Sequence, residues 1–375
     1  MVIGVGAVGL GVVGLDRHSD SGLAWGAPGA RLSGRIPGQG GGSAGTPVVM
    51  LSAVGDIVLG SAPDHLPDTA GGFFDQVSGA VDSDLAMGNL EMSLTDDTGV
   101  DTCGAAQETS LVPAAGGSAC EGLRLPPEYA GTLRAGGFDL LNMANDHSND
   151  FGSSGYRNTQ RALAAEEIQH TGAPDEVTVV EVAGVKVAVV GFSPYSWSNS
   201  LLRLDEARDV VRRAATLADL VVVQAHMGAE GPSRAHVKPG EERFQGQDRG
   251  DPVAFSHAVI EAGADLVIGH GPKVLRPMEF YRGRLIAYSL GNFAAGGGAV
   301  DSAGGLGIGG VLSVSLASDG SFQAGRFLST VMRDGRPVLD PRQTGGAQLA
   351  ALTRADFPRT GMRFDGRGGL QRPVG

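Results

Sequence analysis

Residues 138–152 read FDLLNMANDHSNDFG. The run opens apolar, at strand length, and then crowds Asn, Asp, His and Ser together before a glycine. A short continuous apolar run marks a strand covered on both faces rather than one with a wet side. Polar residues just past the carboxyl end of such a strand stand where open α/β sheets form ligand sites. Read alone, the segment is a turn, because Asn and Asp side chains hydrogen-bond their own backbone. The rest of the chain has to decide between turn and site.

The same pattern recurs. PVVMLSAV (47–54), SDLAMG (83–88), VKVAVVGF (185–192), ADLVVVQA (218–225) and ADLVIG (264–269) read as further buried strands. Helix-like stretches lie between several of them, at 126–137, 154–167, 204–218 and 251–264. They begin near Pro, Ser or Asp and end near Gly, as helix caps require. Hairpins join this parallel core. Residues 178–191 turn at a Gly, 274–293 turn at Arg282-Gly283, and 309–330 turn at Asp319-Gly320. The expected fold is a mixed α/β domain over 48–333 with two packed sheets.

The flanks read differently. Residues 1–15 are apolar and uncharged, too short for a spanning helix of about 20 residues. They resemble the core of a signal peptide or weak anchor without its preceding basic residues. Residues 34–47, Gly-rich, read as a flexible linker, so 1–47 are set outside the fold. Residues 334–375 read as a basic, Arg-rich tail: from Val331 onward there are eight Arg against four Asp. Cys103 and Cys120 enclose a small polar stretch and are expected to pair as a disulfide in an oxidising compartment. The net charge of -12 makes nucleic acid a poor partner.

Five strand ends carry ligand-type residues: Asp56; Asn89 and Glu91; Asn145, His147 and Asp150; His226 and Glu230; His270. Each alone is more readily a cap or a hydrogen-bonded structural residue. Together they form a carboxylate and imidazole set suited to Zn²⁺, Mn²⁺ or Fe²⁺, as one or two ions. The one G-x-S-x-G run, residues 41–45, falls in the Gly-rich linker and not at a strand-to-helix elbow, and no phosphate-binding P-loop is present.

Five blocks stand in a recognisable order: VGDIVLG (54–60), GNLEMSL (88–94), residues 123–152, VVVQAHMGAEG (221–231) and residues 263–293, ending YSLGNF. They resemble the CapA, or PgsA-like, capsule-synthesis family. The resemblance implies a calcineurin-like metallophosphoesterase architecture, with two mixed β-sheets sandwiched between helix layers. It implies an extracytoplasmic protein, secreted or anchored by its N-terminal segment. It implies work on an anionic surface polymer of the poly-γ-glutamate type or its precursor, alongside membrane-bound capsule-synthesis proteins. The carried-over roles give a divalent metal held by Asp56, Glu91, Asn145, His226 and His270. His147, Asp150 and Glu230 then serve catalysis, and Asn89 and Lys273 contact substrate.

Three positions depart from the family pattern. Asp146 stands where the family has a second Asn, Met227 where it has Trp, and Lys273 where it has a second His. Lys273 leaves the site with one metal or none, or turns it toward an anionic substrate. Two functions compete: a metal-dependent hydrolase, and a non-catalytic accessory protein that binds polymer or partners in the same cleft. A glycosidase using Glu91 and Glu230 has only residue type behind it. The long loop 228–250, between two site strands, reads as a lid or substrate loop, or as a plain surface excursion.

Overall fold

The structure is a computed structural model that describes residues 13–14, 46–65, 71–99 and 122–374. Two mixed sheets pack face to face. In the first, parallel strands Val48–Val58, Leu85–Leu90, Leu140–Asn142 and Gln169–Thr171 lie side by side. The antiparallel pair Ile308–Ala317 and Phe322–Arg333 continues it beyond Val48–Val58. In the second, Val185–Ser193, Leu220–His226, Leu266–His270 and Arg284–Leu290 are parallel. Hairpin partners Thr178–Val182 and Leu275–Tyr281 flank them.

Alternation along each strand explains the layering. Leu51, Leu85, Met87, Leu140, Val187, Val189, Val222 and Ile268 meet between the two sheets. Their neighbours Ala86, Leu90 and Leu141 face outward onto Phe74, Leu133 and Leu163. On the other side Ala188, Val190, Val221, Val223 and Val267 face Val210, Ala214, Phe255 and Val259. The last four lie on helices Leu204–Leu217 and Pro252–Ala262. Both faces of each sheet are therefore dry, which is why the strands read as unbroken apolar runs. The result is the expected pair of mixed sheets between helix layers.

Local signals placed the elements well. Helix Pro252–Ala262 has Asp251 as N-cap, accepting from the amides of Val253 and Ala254, and Gly263 past its end at φ 122°. Ala183-Gly184 and Arg282-Gly283 turn with both φ angles positive, the geometry that matches strand twist. The segment 126–137 is more broken than expected: a 3₁₀ turn, Pro127–Tyr129, precedes a short helix, Ala130–Ala135. None of the described helices is long and apolar enough to cross a membrane.

The C-terminal segment corrects the sequence reading. It is no solvated tail. Arg336–Leu339 and Gly369–Gln371 pair with Phe322–Arg333, and helix Thr344–Asp356 buries Leu349 in the core between the sheets. The expected disulfide at Cys103 and Cys120 lies outside the described residues, as does all but Val13–Gly14 of the N-terminal apolar run.

Candidate metal centre

The parallel strands of both sheets end at one edge, and the site is built there. Asp56 lies opposite Asn89, Asn89 opposite Asn142, and His226 opposite His270 in register. Gly55 lets the chain close up. Its α-carbon faces the Gly291 carbonyl so nearly that any Cβ would collide, and that carbonyl accepts from the Asp56 amide at 3.0 Å.

One wall is an amide network. Asn89 is fully buried and donates to Asp56 Oδ1 at 2.8 Å and Glu91 Oε2 at 3.0 Å. Its carbonyl accepts from Asn142 at 2.9 Å and Asn145 at 3.0 Å. Asn145 also donates to the Leu90 carbonyl, and its own carbonyl takes the amides of His147 and Ser148. These bonds correct two expectations. Asn89 holds other site residues in place instead of facing substrate. Asn145 anchors the turn, and the neighbouring Asp146 is the side chain delivered to the cleft.

The opposite wall carries imidazoles. His270 Nε2 meets the Gln224 side-chain oxygen at 3.1 Å, so with that amide orientation Nε2 donates, and Nδ1 is the nitrogen that a neutral ring would offer to a ligand. That Nδ1 is buried, has no hydrogen-bond partner, and stands 3.4 Å from Asp56 Oδ1. His226 Nε2 lies 3.1 Å from Arg249, while its buried Nδ1 is unpaired, 3.8 Å from Glu91 Oε2. Asp146 Oδ1 is buried without a hydrogen bond as well. Burial, only partly opposed by Asp146, pulls the His226 pKa down to about 4, so the ring is neutral near pH 7. Buried polar atoms without protein partners are rare in native proteins, and a bound ion is one thing that satisfies them. Here they are imidazole nitrogens and a carboxylate oxygen, the donor set that Zn²⁺, Mn²⁺ and Fe²⁺ share. Ligand atoms of Glu91, Asp146 and His147, and of Asp146, His226 and Glu230, each fall within 4.8 Å of one another. The residues fit a divalent ion.

Two protein cations share the cleft. The Lys273 ammonium is paired with Glu91 Oε1. Its backbone sits at φ 64°, a left-handed conformation that costs a residue with a Cβ about 1 kcal/mol. The turn bearing it packs on the site: Gly271 lies against the His226 ring, which a Cβ there would meet at 3.0 Å. Arg249 is buried between the rings of Tyr195 and Phe244, pairs with Glu230, and reaches Asp146 Oδ2 at 3.5 Å. Neither Arg249 nor Asp146 was among the residues singled out from sequence. Asp146 had shown only as a departure from the family pattern, and Arg249 follows only a two-residue strand, Gln247–Asp248, within the long loop. Glu91, engaged by both Asn89 and Lys273, is not the free acid that a glycosidase pair requires.

His147 and Glu230 both hold protons near neutral pH. His147 Nδ1 is 2.8 Å from Asp150 Oδ2. Burial disfavours its charged form, but Asp146 and Asp150 outweigh that and raise its pKa to about 9. It therefore holds a proton at neutral pH and suits a general acid. Burial and Asp146 raise Glu230 to about 8 despite Arg249. Asp146 itself stays well below the usual carboxylate range: burial opposes ionisation, but His226, His147 and Arg249 outweigh it.

The loop 228–250 is a pinned wall. Buried Arg276 binds both oxygens of Glu242, at 3.0 and 2.8 Å, and the carbonyls of Ala229 and Arg234. Asp356, at the end of the C-terminal helix, takes the Val237 amide at 2.9 Å and His236 Nδ1 at 2.8 Å. The loop contributes Glu230 and Arg249 to the cleft.

Comparison with known proteins follows this geometry. Residues 50–296 match the family described as bacterial capsule synthesis protein PGA_cap. The capsule biosynthesis protein CapA of Bacillus anthracis is 31% identical over 44% of this chain and 42% of its own length. The PGA biosynthesis protein CapA of Bacillus subtilis (strain 168) is 30% identical over 46% of each. The match thus spans less than half the length of these relatives. Among solved structures, the Haemophilus influenzae NAD nucleotidase is similar at 12% identity and TM-score 0.42, over 88% of this chain and 61% of that one. The 5'-nucleotidase precursor of Thermus thermophilus is similar at 13% and 0.42, over 83% and 59%. With the match covering most of the domain and both walls of the cleft, the chain belongs to the bacterial capsule synthesis protein PGA_cap family.

Proposed function

We propose that this protein acts outside the cytoplasm in making, exporting or attaching a poly-γ-glutamate type surface polymer, through a divalent-metal hydrolytic centre. The observation that carries the reading is the set of unpaired buried ligand atoms on His226, His270 and Asp146. Family membership supports the capsule role, and the CapA proteins of both Bacillus species carry that role in their names. Asp56, Asp146, His226 and His270 would hold the ion. When bound, it supplies Lewis acidity for hydrolysis of an amide or phosphoryl bond. His147, fixed by Asp150, gives its proton to the leaving nitrogen or oxygen. Arg249 and Lys273 orient the anionic groups of the substrate and keep the carboxylates from repelling it.

A second reading has its own observation. Lys273 and Arg249 already pair with Glu91 and Glu230, as in a polymer-binding accessory protein that keeps the fold without turnover. Elemental analysis of the purified protein, with a panel of phosphoester and γ-glutamyl amide substrates, separates the two. The hydrolase reading expects a co-purifying transition metal and a turnover that His226→Ala reduces by about 10²-fold or more. Metal-free protein, or turnover equal in both forms, would leave the accessory reading standing.

A further inference from the structure

We infer that Lys273 is the centre's built-in second cation, so that the site takes one divalent ion and not two. The inference rests on the metal reading above and fixes the stoichiometry of that same site.

Charge sets the capacity. Four carboxylates meet in the cleft, those of Asp56, Glu91, Asp146 and Glu230, all at least four-fifths buried. Lys273 and Arg249 stand against them. At full ionisation this leaves two negative charges, and one when Glu230 holds its proton; in either case a single divalent ion suffices to neutralise the cleft. His147 and Asp150 form a pair of their own and leave that balance unchanged. A second divalent ion would have to enter beside an ammonium already seated on Glu91, in a low-dielectric site where like charges repel strongly.

Placement points the same way. Lys273 extends from a left-handed turn that rests on the His226 ring, so its ammonium enters the cleft from the wall carrying both histidines. It ends on Glu91, whose other oxygen is bound by Asn89, which also binds Asp56. The ammonium thus occupies the carboxylate that would otherwise bridge toward a second ion. His226, His270 and Asp146 keep the unpaired atoms.

The test is stoichiometry. The full chain, stripped with chelator, is titrated with Mn²⁺ by calorimetry, and its bound Mn²⁺ is read by electron paramagnetic resonance. Wild type is expected to bind one ion per chain with the spectrum of an isolated Mn²⁺. Lys273→His, which replaces the ammonium by a neutral donor, is expected to bind two, with the broadening of a coupled pair. Lys273→Met, a neutral side chain of similar length, should keep one ion and bind it about tenfold more tightly. Two ions in wild type would overturn the inference and leave the metal reading intact. No ion in any form would overturn both. One isolated ion in Lys273→His, with unchanged affinity in a folded Lys273→Met, would show that Lys273 does not set the capacity.

Discussion

The two walls of the cleft are built on opposite principles. On the wall of the first sheet, the amides of Asn89, Asn142 and Asn145 close on one another, and Asn89 has a partner for each of its polar atoms. On the wall of the second sheet, His226 and His270 each leave a buried nitrogen unpaired. Both walls are equally buried, so the difference is not exposure. A satisfied buried network specifies a conformation; an unsatisfied one persists where a ligand completes it. The first wall is a frame, and on the proposed reading the second, with Asp146 projecting from the frame's turn, is the binding surface.

Removing the hub of the frame should have the largest effect on stability. Asn89→Ala strands Asp56 and Glu91 without their amide donor and Asn142 and Asn145 without their acceptor. A loss of about 3–5 kcal/mol in urea unfolding is expected. A loss below about 1 kcal/mol would mean the frame is not a frame.

The clamp behind the second wall comes next. Arg276→Met leaves Glu242 without its bidentate partner, and about 2–3 kcal/mol is expected. Hydrogen exchange should accelerate across 228–250 while the strands stay protected. Unchanged exchange there would show that the loop is held by something other than Arg276.

Much of this architecture was legible in the chain. Continuous apolar strands announced sheets covered on both faces, and Gly at two-residue turns located the hairpins. Asp56, Glu91, His226 and His270 could be picked out because each ends a strand, where side-chain direction follows from alternation. Asp146 and Arg249 come from a turn and a loop, where direction is set by tertiary contacts that no periodicity records. Neighbouring Asn145 and Asp146 differ by one position, and only the fold decides which enters the cleft. The C-terminal helix was hidden for another reason. Thr344–Asp356 opens with two glycines and lies among arginines, so propensity argued against a helix that packing of Leu349 stabilises.

The central claim is that the second wall is completed by a divalent ion, and thermal unfolding with added Mn²⁺ tests it most directly. A ligand that binds only the folded state stabilises it by about 2.7 kcal/mol at one hundred times its Kd. The wild-type midpoint should therefore rise by several degrees as Mn²⁺ is added to chelator-stripped protein, and His226→Ala, still folded, should show no rise. A wild-type midpoint indifferent to Mn²⁺, Zn²⁺ and Fe²⁺, or an equal rise in His226→Ala, would contradict the account.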